Sequence, residues 1–148
     1  MLRLASTRLM CASRAALAVV AALSLQVGVQ SAHAQVAPAA DSVPTGGQVV
    51  AGSASIASTG TPAAPVVTVQ QESARAIVNW GSFNVGRDAS VVFRQPDAQS
   101  VILNRVLDHN PSQIFGHLSA NGQVFLMNPA GVWFGAGSSV DVGALVAT

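Results

Sequence analysis

The chain has 148 residues, the length of a single domain, and half of its residues are hydrophobic whereas only 9% are charged. Its seven basic residues are all arginines, and its formal net charge is +1. Beyond residue 34, four arginines stand against six acidic residues, so that part carries a net charge of −2 with neutral histidines. A weakly acidic chain without lysine lacks the basic surface that nucleic acid or anionic lipid needs, which excludes nucleic acid as a partner.

The first 34 residues have the pattern of a secretory signal peptide. Arginines precede an apolar, uncharged stretch at residues 15–29. Ala32 and Ala34 are the small residues that signal peptidase accepts, which makes Gln35 the new N-terminus. A retained membrane anchor is the alternative, but a spanning helix needs about 20 apolar residues. The pattern therefore predicts a helical signal peptide over residues 1–34, exported by the Sec translocon and removed by signal peptidase.

The exported part of the chain is predicted to be one domain behind a short leader. Residues 35–42 are rich in Ala and Pro and predict a flexible leader, and residues 43–148 predict the folded part. Cys11 is the only cysteine and leaves with the signal peptide, so no disulfide is expected. No metal or cofactor is expected either.

From residue 43 onward the chain is a series of short apolar runs separated by residues that favour turns. The runs are short and rich in Val, Ile, Phe and Trp, so they predict β-strands and an all-β fold. The run at 101–107 has two helical turns as an alternative. The predicted strands are 48–51, 65–70, 76–80, 90–94, 101–107, 112–118, 123–127, 131–134, 139–142 and 144–147.

Two all-β architectures fit this pattern about equally well. Short strands with tight turns suit an antiparallel sandwich, and Asn121-Gly122 can close a two-residue hairpin. The same spacing suits a parallel β-helix, in which each strand lies on its equivalent one coil later. Runs such as 124–127 are apolar on consecutive residues, whereas antiparallel strands with one wet face alternate more cleanly.

The stretch NGQVFLMNPAGVWFG, residues 121–135, contains a marked corner. Asn128 precedes a proline and is therefore extended, Pro129 prevents a strand from continuing, and Gly131 accepts a positive φ. The Asn128 amide can also bond to the backbone or to an amide on the next coil, as in the asparagine ladders of stacked strands. An ordinary surface turn is the alternative interpretation.

Read from residue 43, the chain resembles the N-terminal domain of the filamentous-haemagglutinin family of two-partner secretion, closest to its high-molecular-weight adhesin branch. The matching stretches are VPTGGQVVAGSASI at 43–56, VQQESARAIVNWGSFNVGRDASVVFRQP at 69–96, and VILNRVLDHNPSQIFGHLSANGQVFLMNPAGVWFGAGSSVDVGALVAT at 101–148. The family signature Asn-Pro-Asn-Gly-Ile is present as Asn128-Pro129-Ala130-Gly131-Val132, with a departure at Ala130.

The resemblance implies a right-handed, single-stranded parallel β-helix of the pectin-lyase type, which favours the second architecture. It also implies a partner, an outer-membrane β-barrel transporter with periplasmic POTRA domains, and a secreted or cell-surface product of a Gram-negative bacterium. The residues expected to form the structural turn and to contribute to transporter recognition are Asn128, Pro129, Gly131, Val132, Asn121 and Gly122. Because residues 144–147 are apolar and no polar cap follows, we expect a solenoid that is truncated at its C-terminus and lacks its passenger.

The alternatives are a stand-alone enzyme or carbohydrate-binding protein with a β-helical fold. The acidic residues are scattered, whereas glycoside hydrolysis needs a pair of carboxylates at a defined separation. Asp108-His109 together with His117 would suggest acid–base or metal chemistry, but isolated loop histidines are usually only solvated. A sugar-binding shelf would require Trp80 and Trp133 to be exposed, whereas their apolar surroundings favour core packing. The sequence therefore predicts a non-enzymatic domain.

Overall fold

The computed structural model describes residues 36–148 of the chain. This part contains strands and no helix, and it holds no helix long and apolar enough to cross a membrane. The predicted signal peptide and its cleavage site at Ala32, Ala34 and Gln35 lie outside the described residues.

Twelve strands follow one another along the described part. Most have three to six residues, because turn residues interrupt the apolar runs at short intervals. The strands are β1 Gln48–Ala51, β2 Ala54–Thr61, β3 Ala64–Gln71, β4 Arg75–Trp80, β5 Ser90–Arg94, β6 Val101–Val106, β7 Ser112–Ile114, β8 His117–Ala120, β9 Gln123–Met127, β10 Val132–Phe134, β11 Ser139–Asp141 and β12 Ala144–Ala147.

The strands form a parallel β-helix with three sides. The first sheet has the strand order β11-β8-β5-β3-β2, the second sheet has the order β1-β4-β6-β9-β12, and the third side consists of β7 and β10. Neighbours within β3-β5-β8-β11, β4-β6-β9-β12 and β7-β10 are parallel. The chain therefore visits the sides in turn and completes about four coils, which confirms the β-helix and rules out the sandwich.

The core is formed by inward-facing side chains that lie above one another in successive coils. On the first sheet Val67 is paired with Val91, Val91 with Leu118, and Leu118 with Val140. On the second sheet the corresponding row is Ala76, Ile102, Val124 and Leu145. Because strand side chains alternate between faces, this register places alternate rows of each sheet inside, including these two, and leaves the intervening rows outside.

Two strands that run against the coils cover the N-terminal end of the core. β1 pairs antiparallel with β4, and β2 pairs antiparallel with β3. Val43, Val49, Ala54 and Ile56 pack against the buried core from this end. Part of the segment predicted as a flexible leader also bonds here, since the carbonyl of Ala40 accepts from the Asp88 N–H at 2.9 Å.

The run at 101–107 forms a strand, as predicted, and not the alternative helical turns. The sequence-based assignments differ from the structure at three other places. β2 was not predicted. The run at 112–118 is two strands, because the chain turns a corner at Phe115-Gly116 between β7 and β8. Asn121-Gly122 does not close a hairpin, because β8 and β9 belong to different sheets.

Candidate functional site

The corner after β9 is organised by the side chain of Asn128, which is only 1% exposed. Its Nδ2 donates to the backbone oxygen of Asn110 at 3.0 Å and to Ser112 Oγ at 2.9 Å. Its Oδ1 accepts from the backbone N–H of Ala130 at 2.9 Å. One buried amide therefore holds its own turn and ties that turn to the preceding coil, with three of its four hydrogen-bonding positions satisfied.

The turn itself runs from Asn128 to Gly131, with the Gly131 N–H donating to the Asn128 carbonyl at 2.8 Å. Asn in the first position, Pro in the second and Gly in the fourth are residues that this kind of turn favours. Gly131 has a φ of 100°, a conformation that residues with a Cβ adopt at a cost. Its carbonyl accepts from the Ser112 N–H at 2.9 Å, so the glycine also bonds to the preceding coil.

The backbone of the corner is also held from its other side. The Asn128 N–H donates to the carbonyl of Thr148 at 2.8 Å, and the Thr148 N–H donates to the carbonyl of Leu126 at 3.0 Å. Val132 then begins β10 opposite Ser112 and packs against the core. Asn128 consequently connects three successive coils. Its side chain and turn join its own coil to the preceding one, and its backbone N–H bonds to the following one.

The amide ladder expected at Asn128 lies at a different corner. Asn128 reaches a backbone oxygen and a hydroxyl of the preceding coil, and no amide of the next one is among its partners in residues 36–148. The stacked amides are Gln71 and Gln95, which lie 24 residues apart at the corner between the first and second sheets. Gln95 Nε2 lies 3.3 Å from Gln71 Oε1 and 2.9 Å from the carbonyl of Ser100.

Gly122 lies one coil beyond Gln95 at this second corner and makes room for it. A Cβ on Gly122 would lie 2.7 Å from Gln95 Oε1 and 2.8 Å from the Ser100 carbonyl. The missing side chain lets Gln95 Nε2 approach the carbonyl of Gln123, at 3.3 Å. Asn121 is exposed, and its amide accepts from the Gln95 N–H and donates to the Gln95 carbonyl, both at 2.7 Å.

Sequence reasoning singled out Asn121 and Gly122 but not the two glutamines that they contact. Gln71 and Gln95 are 1% and 6% exposed. The only signal in the sequence is that each glutamine ends or directly follows an apolar strand, β3 or β5. Predicting the ladder would have required the register that places both side chains inside the same corner.

The aromatic residues do not form the exposed shelf that sugar binding would require. Trp80 and Phe83 are each 1% exposed, and their rings meet edge to face with centroids 5.5 Å apart. The Trp80 indole N–H donates to Asn104 Oδ1 at 2.9 Å inside the core. Trp133 is 44% exposed and contacts Phe115 on the third side. Core packing, which the sequence favoured for both tryptophans, is confirmed for Trp80 and is wrong for Trp133.

The titratable residues of the described part are dispersed over the surface. Within residues 36–148 no three His, Cys, Asp or Glu side chains lie close enough to hold a metal ion. The ion pair in this part joins the sequence neighbours Arg87 and Asp88, whose side chains are 75% and 49% exposed. His117 lies in β8 at the surface, and His109 lies in the loop between β6 and β7.

Comparison with known proteins places these features in a family. The TPS secretion domain model matches residues 17–148. A heme/hemopexin-binding protein of Haemophilus influenzae is 42% identical over 106 residues, which are 72% of this chain and 11% of that protein. A second heme/hemopexin-binding protein of the same species is 44% identical over 82 residues, which are 55% of this chain and 9% of that protein.

Among solved structures, the HMW1 secretion domain from Haemophilus influenzae superposes with a TM-score of 0.63 at 32% sequence identity. The match covers 69% of this chain and 26% of that chain. The chain thus spans about a tenth of the length of the two curated relatives and about a quarter of the solved domain.

Proposed function

We propose, since this chain belongs to the family of TPS secretion domains, that it enters the periplasm through Sec and is recognised there by a POTRA-containing outer-membrane transporter. Two-partner secretion of an adhesin-type exoprotein is the function that its relatives support. In this proposal the transporter passes the chain to the cell surface, where the first coils fold and the rest of the exoprotein follows. The domain carries no catalytic step.

The stacking of the coils is the observation that carries the folding part of this proposal. Parallel register joins each coil to the coils directly before and after it on both large sheets. In such a solenoid each new coil needs only its predecessor for folding, and stability accumulates from neighbour to neighbour. Folding at the surface can then proceed stepwise, and its free energy can drive export without a nucleotide.

Both corners are proposed to serve this process by coupling neighbouring coils. Asn128, Pro129, Gly131 and Val132 form a turn whose bonds reach neighbouring coils, so this turn couples the closure of one coil to the previous one. Asn121 and Gly122, through their contacts with Gln95, do the same at the other corner. We therefore expect substitutions at either corner to reduce the secreted yield through impaired folding.

The experiment is to express the full chain in a Gram-negative host with and without a POTRA-containing two-partner secretion transporter, and to quantify the chain in periplasm and medium. Transporter-dependent appearance in the medium, with removal of residues 1–34, supports the proposal. Equal amounts in the medium without the transporter would contradict it. A transporter whose POTRA domains are deleted is the matched control, because its barrel remains while the proposed recognition part is gone.

A further inference from the structure

One of the six asparagines of the chain, Asn121, directly precedes a glycine, Gly122. An asparagine in this position is the most prone to lose its amide, because the glycine has no Cβ to shield its backbone nitrogen, the attacking atom. Large side chains crowd that nitrogen, and proline has no N–H with which to attack. The residues after the other five asparagines are Trp80, Val85, Arg105, Pro111 and Pro129. The sequence thus concentrates this reactivity at one corner of the β-helix.

The folded corner restrains the Asn121 side chain against this reaction. Its amide accepts from the Gln95 N–H and donates to the Gln95 carbonyl, both at 2.7 Å, so both ends of the amide are fixed to the preceding coil. Loss of the amide requires its carbon, Cγ, to approach the backbone nitrogen of Gly122 to bonding distance, which an amide fixed at both ends resists. Asn121 is exposed, so water reaches the amide and the two hydrogen bonds supply the restraint.

The attacking backbone nitrogen is restrained as well, because Gly122 is held in place. Gly122 is buried, and its carbonyl accepts from the Gly143 N–H of the following coil at 3.0 Å. A Cβ on Gly122 would lie only 2.7 Å from Gln95 Oε1, so the backbone has little room to turn. Asn121 is therefore fixed by the coil before it and Gly122 by the coil after it. Both restraints together require three stacked coils.

We propose that Asn121-Gly122 is a site of spontaneous deamidation that is open in the unfolded chain and closed by the stacking of the coils. In this reaction the Gly122 N–H loses its proton, the nitrogen bonds to Asn121 Cγ, and Nδ2 leaves as ammonia. Water then opens the cyclic imide at either carbonyl, which leaves aspartate or isoaspartate at position 121. Water is the only co-reactant.

Both products disturb the folded corner. Aspartate has no side-chain N–H, so a carboxylate oxygen would face the Gln95 carbonyl from the place of Nδ2, which lies 2.7 Å away. Isoaspartate also adds a methylene to the main chain, which displaces Gly122 from its place between Gln95 and Gly143. Chemical modification of an unfolded chain that is faster than folding makes the loss of the folded state irreversible. A chain modified before it folds therefore carries a permanent defect at this corner.

The consequence for secretion rests on the proposed function, because that function keeps the chain unfolded until it reaches the cell surface. A chain that is exported promptly folds with Asn121 intact. A chain that is delayed in the periplasm accumulates the modification and loses the ability to stack its coils. The pair Asn121-Gly122 thus limits the time for which the unfolded chain stays competent to fold.

The test compares two samples of the purified exported chain, one folded in buffer and one unfolded in guanidinium chloride, at the same pH and temperature. Peptide mass spectrometry follows the fraction modified at Asn121, and an isoaspartyl methyltransferase assay identifies the isomer. We expect modification of the folded chain to be at least about tenfold slower, because it must await local opening of the corner. Asn128, which precedes Pro129, is the internal control and should stay unmodified in both samples.

G122A is the matched variant for the unfolded sample. Its methyl group shields the attacking nitrogen, so the modification at Asn121 should be severalfold slower than in the parent chain. The comparison is made in denaturant, so the result is independent of how well the variant folds. An unchanged rate would show that the reaction does not pass through attack by this nitrogen, and would overturn the proposed chemistry.

The unfolded parent chain, once partly modified, is then refolded, and size-exclusion chromatography separates the refolded fraction from the rest. We expect at least about fivefold less isoaspartate at position 121 in the refolded fraction, because the modified corner lacks its bonds. Equal amounts in the two fractions would overturn the inference, as would equal rates of modification in the folded and unfolded samples. No transporter takes part in these measurements. A failure of transporter-dependent secretion would therefore reject the proposed function and leave the chemistry of this site standing.

Discussion

Two corners of the β-helix, those after β8 and β9, each contain an asparagine and reach stability by opposite means. At the corner after β9, one buried side chain, that of Asn128, bonds to its own turn and to the preceding coil. At the corner after β8, Asn121 is exposed, and the buried amides are those of Gln71 and Gln95. Gly122 contributes there by having no side chain. Asparagine is thus the buried hydrogen-bonding residue at the corner after β9, whereas at the corner after β8 it bonds from the exposed side.

This difference indicates where substitutions should be most costly. A buried polar group that loses its partner carries the full desolvation penalty, whereas an exposed one returns to water. Removing the Asn128 amide leaves three partners in or near the core, while removing that of Asn121 leaves groups close to solvent. The predictions below use the free energy of unfolding from urea titration of the exported chain, with secreted yield as a second readout.

The largest effect is expected for N128A. The change leaves the Asn110 carbonyl, the Ser112 hydroxyl and the Ala130 N–H without their partner, and we expect a loss of about 3 kcal/mol. S138A is the control, because no side-chain hydrogen bond of Ser138 occurs within residues 36–148, and it should cost less than about 0.5 kcal/mol. Equal secreted yields of the two variants would show that the corner does not limit folding.

The next largest effect is expected for G122A, which probes the glutamine corner. The new methyl group would lie well inside the contact distance of Gln95 Oε1 and the Ser100 carbonyl, so we expect a loss of about 2 kcal/mol. A double-mutant cycle with Q95A tests the cause, because removing the glutamine side chain should recover about 1 kcal/mol of that loss. Strict additivity would mean that the backbone carbonyl, not the ladder, limits the space.

G131V should cost about 1.5 kcal/mol, since a β-branched residue is strained at the positive φ of this position. Steric contact is not the reason, because a Cβ at Gly131 meets no atom within 4 Å. G131N is the matched control, and its loss should be clearly smaller because asparagine tolerates the left-handed region. Equal unfolding free energies for the Val and Asn variants would contradict this assignment.

The smallest effect is expected for A130N, which restores the family signature at its third position. The bond at residue 130 that holds the turn comes from the backbone N–H to Asn128 Oδ1, and every residue except proline can make it. We therefore expect the free energy of unfolding to change by less than about 0.5 kcal/mol. A gain in secreted yield without a gain in stability would instead point to direct recognition of this side chain by the transporter.

Most strands could be predicted from the sequence, because apolar runs and turn residues are local signals. The local pattern left the sandwich and the parallel β-helix about equally favoured, and only the family resemblance decided for the β-helix. β2 was not predicted because its residues, ASIASTGT, are mostly small and half of them are polar, and its strand conformation depends on pairing with β3. Residues 112–118 looked like one strand because the corner at Phe115-Gly116 lacks proline and asparagine. Local propensity is overridden in both places by contacts between distant residues.

The candidate site was predictable only in part, for a related reason. Asn128 and Gly131 stand out locally, because proline and glycine define their turn. Gln71 does not, because Gln70 beside it is chemically identical and yet exposed, while Gln71 is buried. Only the register between coils decides which of the two side chains enters the corner.

The reversed orientation of β1 and β2 makes the two ends of the stack unequal. Because these strands precede β3 and β4 along the chain, the cap is available as soon as the first coil has been synthesised. The parallel pattern stops there, so further coils can be added at one end only. A chain that folds as it emerges would therefore gain coils only at the end opposite this cap. Backward movement of the chain would require the most recently folded coil to unfold first.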